Sequence, residues 1–285
     1  MTAQGLRGKK MRERLGNAAT YAVLICISAI WLLPFFYLIT QALRGESTGM
    51  VNYLFPKEWT IRNFYSLFRD TDFYRWFLNT LAVSTVVSVV QTVMVLMVSY
   101  TMSRLRFRGR KILMNLILIL GMFPGFLSMI AVYFILKLVG LTQSILGLIL
   151  VYTGSSGMGY YIAKGYFDTV PRALDEAARI DGADRHTVFL KIVLPLAKPI
   201  VIYTALMGFM GPWGDYMYAS LIAFGNSRSY NVAVGMYTFL SREQIASYFT
   251  RFCAGGVVIA IPITLLFLWL QKYYIAGVTG GSVKG

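Results

Sequence analysis

The stretch DEAARIDGADRHTVFLKIVLPL, residues 175–196, crowds charges around small residues in a chain that is 57% hydrophobic and only 14% charged. Soluble domains carry charge on about 25% of their residues, and the mean hydropathy here is +0.60. The polar stretch lies between two long apolar runs, 138–163 and 199–224. It marks a place where the chain leaves a hydrocarbon layer and re-enters it. Working outward, the runs 18–43, 77–102, 112–136 and 252–271 complete a set of six. Each is near or above the roughly 20 residues that cross a bilayer as a helix. Run 199–224 holds Asp215; the other five hold no Asp, Glu, Lys or Arg. Lipid offers backbone groups no partners, so helices are the expected form. The alternating pattern of a membrane β-barrel is absent. The expected fold is all-α and polytopic, with six transmembrane helices.

The chain has 27 Lys and Arg against 12 acids. With the N-terminus inside, the segments 1–17, 103–111, 164–198 and 272–285 fall on the cytoplasmic side. They hold 18 of the 27 basic residues. This is the positive-inside bias, and it predicts a multi-pass protein with both termini cytoplasmic. The chain then divides into a basic N-terminus (1–17), a transmembrane domain (18–271) and a cytoplasmic tail (272–285). The basic RGKKMRER, residues 7–14, reads as a membrane-lipid contact and topology determinant rather than an RNA-binding arm, so no nucleic acid is expected. The first run is too long for a signal h-region and no small-residue cleavage site follows it. Cys26 and Cys253 fall in or beside spans without metal or redox spacing and read as packing residues. His186 is the single histidine, so no metal cluster and no bound metal are expected.

Residues 168–196 form the loop between the fourth and fifth spans, and read as two short helices. Pro171 suits a first turn, and Asp175 and Glu176 sit early, where acid favours the helix dipole. Ala177 and Ala178 permit close approach of another surface. Gly182 ends the first helix at positive φ, and Asp184 is a candidate N-cap for the second. On that helix Val188 with Ile192, and Phe189 with Val193, make i, i+4 apolar pairs. A docking element and an amphipathic loop on the membrane both fit this composition. Elsewhere, Ile61, Phe64, Tyr65 and Phe68 in the outer loop 44–76 follow helical spacing, as an interfacial helix or as a cap on the bundle. Pro124, with Gly121 and Gly125, predicts a kink. GPWGD, residues 211–215, predicts a broken fifth span.

The order E-A-A, three residues, G, nine residues, I-x-L-P is complete in Glu176, Ala177, Ala178, Gly182, Ile192, Leu194 and Pro195. It resembles the EAA loop of permease subunits in bacterial type I ABC importers. The outer-loop stretch FPKEWTIRNFYSLF, residues 55–68, and the Trp213–Asp215 break resemble carbohydrate-uptake permeases. The tail QKYYIAGVTGGSVKG, residues 271–285, is similar to that of MalG-type subunits of maltose transporters.

The resemblance implies a permease of the cytoplasmic (inner) membrane that imports maltose, maltodextrin or a related oligosaccharide. The implied partners are a second, MalF-type permease, two copies of an ABC ATPase and an extracellular or periplasmic sugar-binding protein. It implies that Glu176, Ala177, Ala178, Asp181, Gly182, Ile192, Leu194 and Pro195 form a coupling helix seated in the ATPase. It implies that Thr279, Gly280, Gly281, Ser282, Val283, Lys284 and Gly285 reach between the ATPase subunits. Pro212, Trp213, Asp215 and Tyr216 would face the pathway or the second permease. Asn226, Ser227, Arg228, Asn231 and Tyr237, in the outer loop 225–251, would touch the binding protein. Independently, the absence of G-x-x-x-x-G-K-[ST] leaves ATP and Mg²⁺ to the partner, and no catalytic constellation or cofactor site is evident. Asp215, the one acid inside a span, is a functional-site candidate or a local helix cap. Alternatives are an ion-coupled secondary transporter, a membrane enzyme or assembly factor, and an ABC importer of another oligosaccharide, a polyol or glycerol phosphate.

Overall fold

The computed structural model describes residues 3–122, 125–241 and 243–280, and among them the secondary structure is helical. The one β pairing there is an isolated bridge between Arg44 and Trp59. Three helices are long and apolar enough to cross a membrane by themselves: Gly16–Ala42 within α1 (Ala3–Ala42), α3 (Phe73–Arg104), and Ile245–Lys272 within α14 (Ile245–Gly280). Three bent pairs raise the total to six if each is one span. In the first, α4 (Arg110–Met122) and α5 (Gly125–Leu138) meet at 104°. Phe123 and Pro124, and with Pro124 the predicted kink, lie outside the described residues. In the second, α6 (Ile145–Gly154) and α7 (Gly157–Thr169) meet at 43°. The third bends by 82° where Arg185–Leu196 joins α11 (Lys198–Gly214).

Two predicted boundaries move. Run 138–163 becomes a helix pair that starts at Ile145, because Ser144 caps it by accepting from the Gly147 amide at 3.0 Å. It then continues to Thr169, six residues past the predicted end. In run 199–224, Pro212 stays inside α11 and the break falls after Gly214, at Asp215 and Tyr216, before α12 (Met217–Ala223).

The chain forms two compact units. The first comprises Met1–Arg69 and Arg242–Val257. Its α1 buries no residue along the apolar window. At its end the buried Arg44 donates to Gln41 Oε1 (2.9 Å), Glu46 Oε1 (2.5 Å) and the Tyr53 carbonyl (2.9 Å). Burial alone would raise the Glu46 carboxyl, but the Lys57 and Glu58 amides and the Arg44 guanidinium hold it at about 2. A depressed acid contributes stability above its unfolded pKa and loses it as pH falls through the folded value. This knot therefore stays ionised at any pH well above 2. Helix α2 (Arg62–Asp70) buries Asn63, Ser66 and Leu67 and turns Tyr65 and Phe68 outward. Asn63 donates to the Ala42 and Arg44 carbonyls at 3.0 and 2.7 Å, and Ser66 accepts from Arg251 at 3.1 Å. The packed face is mixed, with the polar Asn63 and Ser66 beside the fully buried Leu67, while Tyr65 and Phe68 stay outside it.

The second unit comprises Asp70–Ser241 and Val258–Gly285. Its α3 lies along α11, α7 and α6. Gly208 makes the α3–α11 approach possible: a Cβ there would fall 3.1 Å from Ser88 Cα and 2.7 Å from Gln91 Oε1. Two apolar clusters follow. One joins Val95, Leu96 and Tyr100 of α3 to Ala163 and Phe167 of α7 and to Ala178, Val188, Val193, Ala197 and Ile200. The other joins Leu136, Leu148, Val151, Ala219, Ile222 and Val234. The first cluster seats residues 168–196 on the end of the helices.

Candidate functional site

The quoted stretch folds as two short helices around one tight turn. Pro171 is the N-cap residue of α8 (Arg172–Ile180), one position earlier than the first-turn place expected for it. Gly182 takes φ +86°, in the left-handed region that favours glycine. Its amide donates to the Arg179 carbonyl at 3.1 Å, and the Ala183 amide reaches back to the Ala178 carbonyl at 2.9 Å. That pair of bonds is a Schellman closure. Asp184 then caps the second helix, accepting from the Thr187 amide at 2.9 Å, and the Thr187 side chain together with that amide holds its carboxyl below the usual range. The second helix starts as α9 (Arg185–Thr187), passes through a π-helical turn (Val188–Val193) and ends as α10 (Leu194–Leu196). The π turn replaces the expected i, i+4 stripe. Val188 and Val193, five apart, are both fully buried, and Ile192 and Phe189 are half-buried.

A polar brace fixes this knuckle to α3 and α7. Arg104 Nε lies 3.0 Å from Asp175 Oδ2, with both side chains nearly buried, and Arg104 also donates to the Val170 carbonyl at 2.8 Å. Arg172 donates to the Ser103 carbonyl at 3.2 Å. Ser103 donates to Asp168 Oδ1 at 2.6 Å, and Lys164 reaches Asp168 Oδ2 at 2.5 Å. The outward side carries Glu176, Ala177, Asp181 and Gly182, all exposed, with Ile180 86% exposed beside them. A Cβ on Gly182 would meet nothing within 4 Å.

The second region surrounds the break after α11. Asp215 accepts from the Tyr152 hydroxyl at 2.6 Å and from the Tyr218 amide at 3.3 Å, so it caps α12. Asn231 donates to the Pro212 and Asp215 carbonyls at 3.0 and 2.7 Å. Its Oδ1 caps α13 (Val232–Thr238) by accepting from the Val234 amide at 2.9 Å. Tyr216 and Tyr237 are exposed, with ring centroids 4.5 Å apart.

Comparison with known proteins places these two regions in context. Residues 96–280 match the family described as binding-protein-dependent transport system inner membrane component. The chain belongs to this family. Among curated relatives, the maltodextrin transport system permease protein MdxG of Bacillus subtilis (strain 168) is 37% identical, over 95% of this chain and 97% of its own. The galactooligosaccharides transport system permease protein GanQ of the same organism is 33% identical, over 98% and 100%. The trehalose transport system permease protein SugB of Mycobacterium tuberculosis (strain CDC 1551 / Oshkosh) is 30% identical, over 89% and 93%. In fold, the chain is similar to a bacterial ABC transporter involved in import of the acidic polysaccharide alginate. The TM-score is 0.74 at 20% identity, over 92% of this chain and 97% of that one.

As a member of this family the chain is a multi-pass membrane transport component without a catalytic role, and no group of three or more His, Cys, Asp or Glu gathers among the described residues. Several expectations for this permease change. Ala178 is buried against its own unit, so its small size serves packing inside the knuckle rather than an outer contact. Pro212 and Trp213 are buried within this chain, Trp213 between Phe77 and Phe209. Asn231 is 1% exposed and locked in two caps. Asn226 caps the short 3-10 turn Ser227–Ser229, and Ser227 donates to Asp72 at 3.0 Å. Arg228 and Tyr237 keep exposed side chains. Leu194 is half-buried and Pro195 exposed. Cys253 is buried as expected, whereas Cys26 is exposed. Thr279 and Gly280 end α14, and Gly281, Ser282, Val283, Lys284 and Gly285 lie outside the described residues. Sequence reading missed Arg104, Asp168 and Tyr152. Arg104 was visible only as one of several loop cations; its partner lies 71 residues away.

Proposed function

We propose that this permease is one of two membrane subunits of an ABC importer for maltodextrin or a related oligosaccharide. A second permease of MalF type completes the pathway, two ATPase copies drive it, and an extracellular binding protein delivers the sugar. The chain sits in the bacterial cytoplasmic membrane with both termini inside, as the distribution of Lys and Arg favours. The observation that carries the reading is the knuckle of residues 168–196: a rigidly braced projection whose outward side combines the small Ala177 and Gly182 with the acids Glu176 and Asp181, the cation Arg179 and the apolar Ile180. Glu176, Ala177, Asp181 and Gly182 form its ATPase-contacting side. Brace and projection together make a lever, because force on α8 passes through Arg104 and Asp175 into α3. Carbohydrate as the solute rests on the kinship with permeases for maltodextrin, galactooligosaccharides and trehalose.

The test is Gly182→Asp in the assembled complex. A side chain at φ +86° is strained and adds bulk to the contacting side. The expected result is a subunit inserted at wild-type level, with sugar uptake abolished and ATP hydrolysis no longer stimulated by loaded binding protein. Normal stimulated hydrolysis would contradict the coupling role. The tail from Thr279 to Gly285 is proposed to reach the ATPase pair. Deleting Ser282 to Gly285 then lowers the hydrolysis rate while membrane insertion is unchanged, and an unaltered rate removes that assignment.

A further inference from the structure

A cavity of about 760 Å³ opens between the start of α4 and α7, lined by Arg106, Arg110, Lys111 and Lys164 together with Phe107 and Tyr161. It adjoins the polar brace through Lys164 but is otherwise separate from the two regions described above. Arg108 adjoins it in sequence and is exposed. Asp168, the acid beside Lys164, is already engaged by Lys164 and Ser103. Tyr161 donates to the Met114 carbonyl at 2.7 Å, which fixes the aromatic wall. With Lys164 balanced by Asp168, Arg106, Arg110 and Lys111 give the cavity its positive charge next to a fixed aromatic side.

Its surroundings select the ligand. Ile112, Leu116 and Leu120 are 66%, 51% and 70% exposed and follow one another at i, i+4, i+8 along α4. That stripe leads away from the cationic mouth along a membrane-embedded helix. A soluble anion uses the mouth alone, and nucleic acid has no use for the stripe. A molecule with an anionic phosphodiester at one end and a hydrocarbon chain at the other uses both. We propose that this cavity is a binding site for the headgroup of an anionic phospholipid, its acyl chain lying on Ile112, Leu116 and Leu120. Each Lys or Arg near an anionic surface contributes about 1 kcal/mol.

The test uses the whole transporter, purified from membranes and washed with mild detergent, with retained lipid measured by mass spectrometry. Wild type is expected to retain phosphatidylglycerol selectively over phosphatidylethanolamine. Arg110→Gln with Lys111→Gln is expected to weaken that retention roughly thirtyfold. Arg62→Gln with Arg69→Gln, on α2, leaves it unchanged. Should the double variant fail to insert, Arg106→Gln and Leu116→Glu are each tested alone, and both must reduce retention. Three results overturn the proposal. One is equal retention of the two lipids. A second is binding of inorganic phosphate in proportion to the same cations with no lipid selectivity, which assigns the mouth to a free anion. The third is loss of the ATPase copies from the double variant while lipid is retained, which assigns the mouth to an acidic protein segment.

Discussion

At the scale of single residues, the pair of Arg104 and Asp175 explains how a polar knuckle is held on an apolar helix end. Both side chains are nearly removed from water. Removing one partner from a buried ion pair costs about 3–5 kcal/mol, because the other charge is left uncompensated. Arg104→Ala is therefore expected to lower the thermal stability of the purified complex markedly. Arg104→Ala combined with Asp175→Ala should recover much of the loss. Unchanged stability in the single variant, read from a melting curve in detergent, would show that the pair carries no load. Asp215 illustrates the opposite outcome for a conspicuous charge. It is the one acid in a predicted span, yet its two oxygens are taken by Tyr152 and the Tyr218 amide. Its role in the fold is that of a cap at a break. The Arg104–Asp175 and Tyr152–Asp215 partnerships were not legible in the sequence, since each joins residues far apart in the chain, whereas the cap role of Asp215 was one of its two readings. The Asp184 cap and the Gly182 turn were legible, because each rests on contacts within a few residues.

Among elements, helices whose signal is local emerge as the sequence predicts, and the differences arise where packing decides. The second helix of the knuckle has an apolar stripe compatible with ordinary i, i+4 spacing. Tertiary contact instead widens it to a π turn, so that Val188 and Val193 both reach the cluster around Phe167 and Tyr100. Helix α2 shows the same limit of pattern reading. The spacing of Ile61, Phe64, Tyr65 and Phe68 was visible, but not that the polar Asn63 and Ser66 would pack beside Leu67 while Tyr65 and Phe68 stay exposed. An outward aromatic face on this helix suits the interfacial layer of a membrane. Helix α13 is seated by the absence of a side chain. A Cβ at Gly235 would fall 2.1 Å from the Trp76 ring, and Trp76 is itself pinned beside Tyr230 and Phe239. Overpacking of this kind costs about 1–3 kcal/mol. Gly235→Ala is thus expected to destabilise the complex by that order, measured as faster thermal inactivation, whereas Gly165→Ala, with open space around it, should not.

For the whole molecule, six apolar runs and a charge bias were enough to indicate a polytopic helical protein. Among the described residues there are three helices long and apolar enough to span alone and three bent pairs. Bends of 43° to 104° lie at Gly-, Ser- and Pro-containing joints, which hydropathy averages over. The division into two compact units was less legible, because it depends on which residues pack across long stretches of chain. In the proposed cycle the knuckle receives force from a separate ATPase, and the brace carries that force into α3. The account rests on which surface of the knuckle meets the motor. The most direct measurement is site-specific photocrosslinking in the assembled transporter from positions 176, 178 and 180. Glu176 and Ile180 point outward, and Ala178 points inward. Crosslinks to the ATPase from positions 176 and 180 but not from 178 are the predicted result. No ATPase adduct from either outward position, or adducts there to the extracellular binding protein, would contradict it.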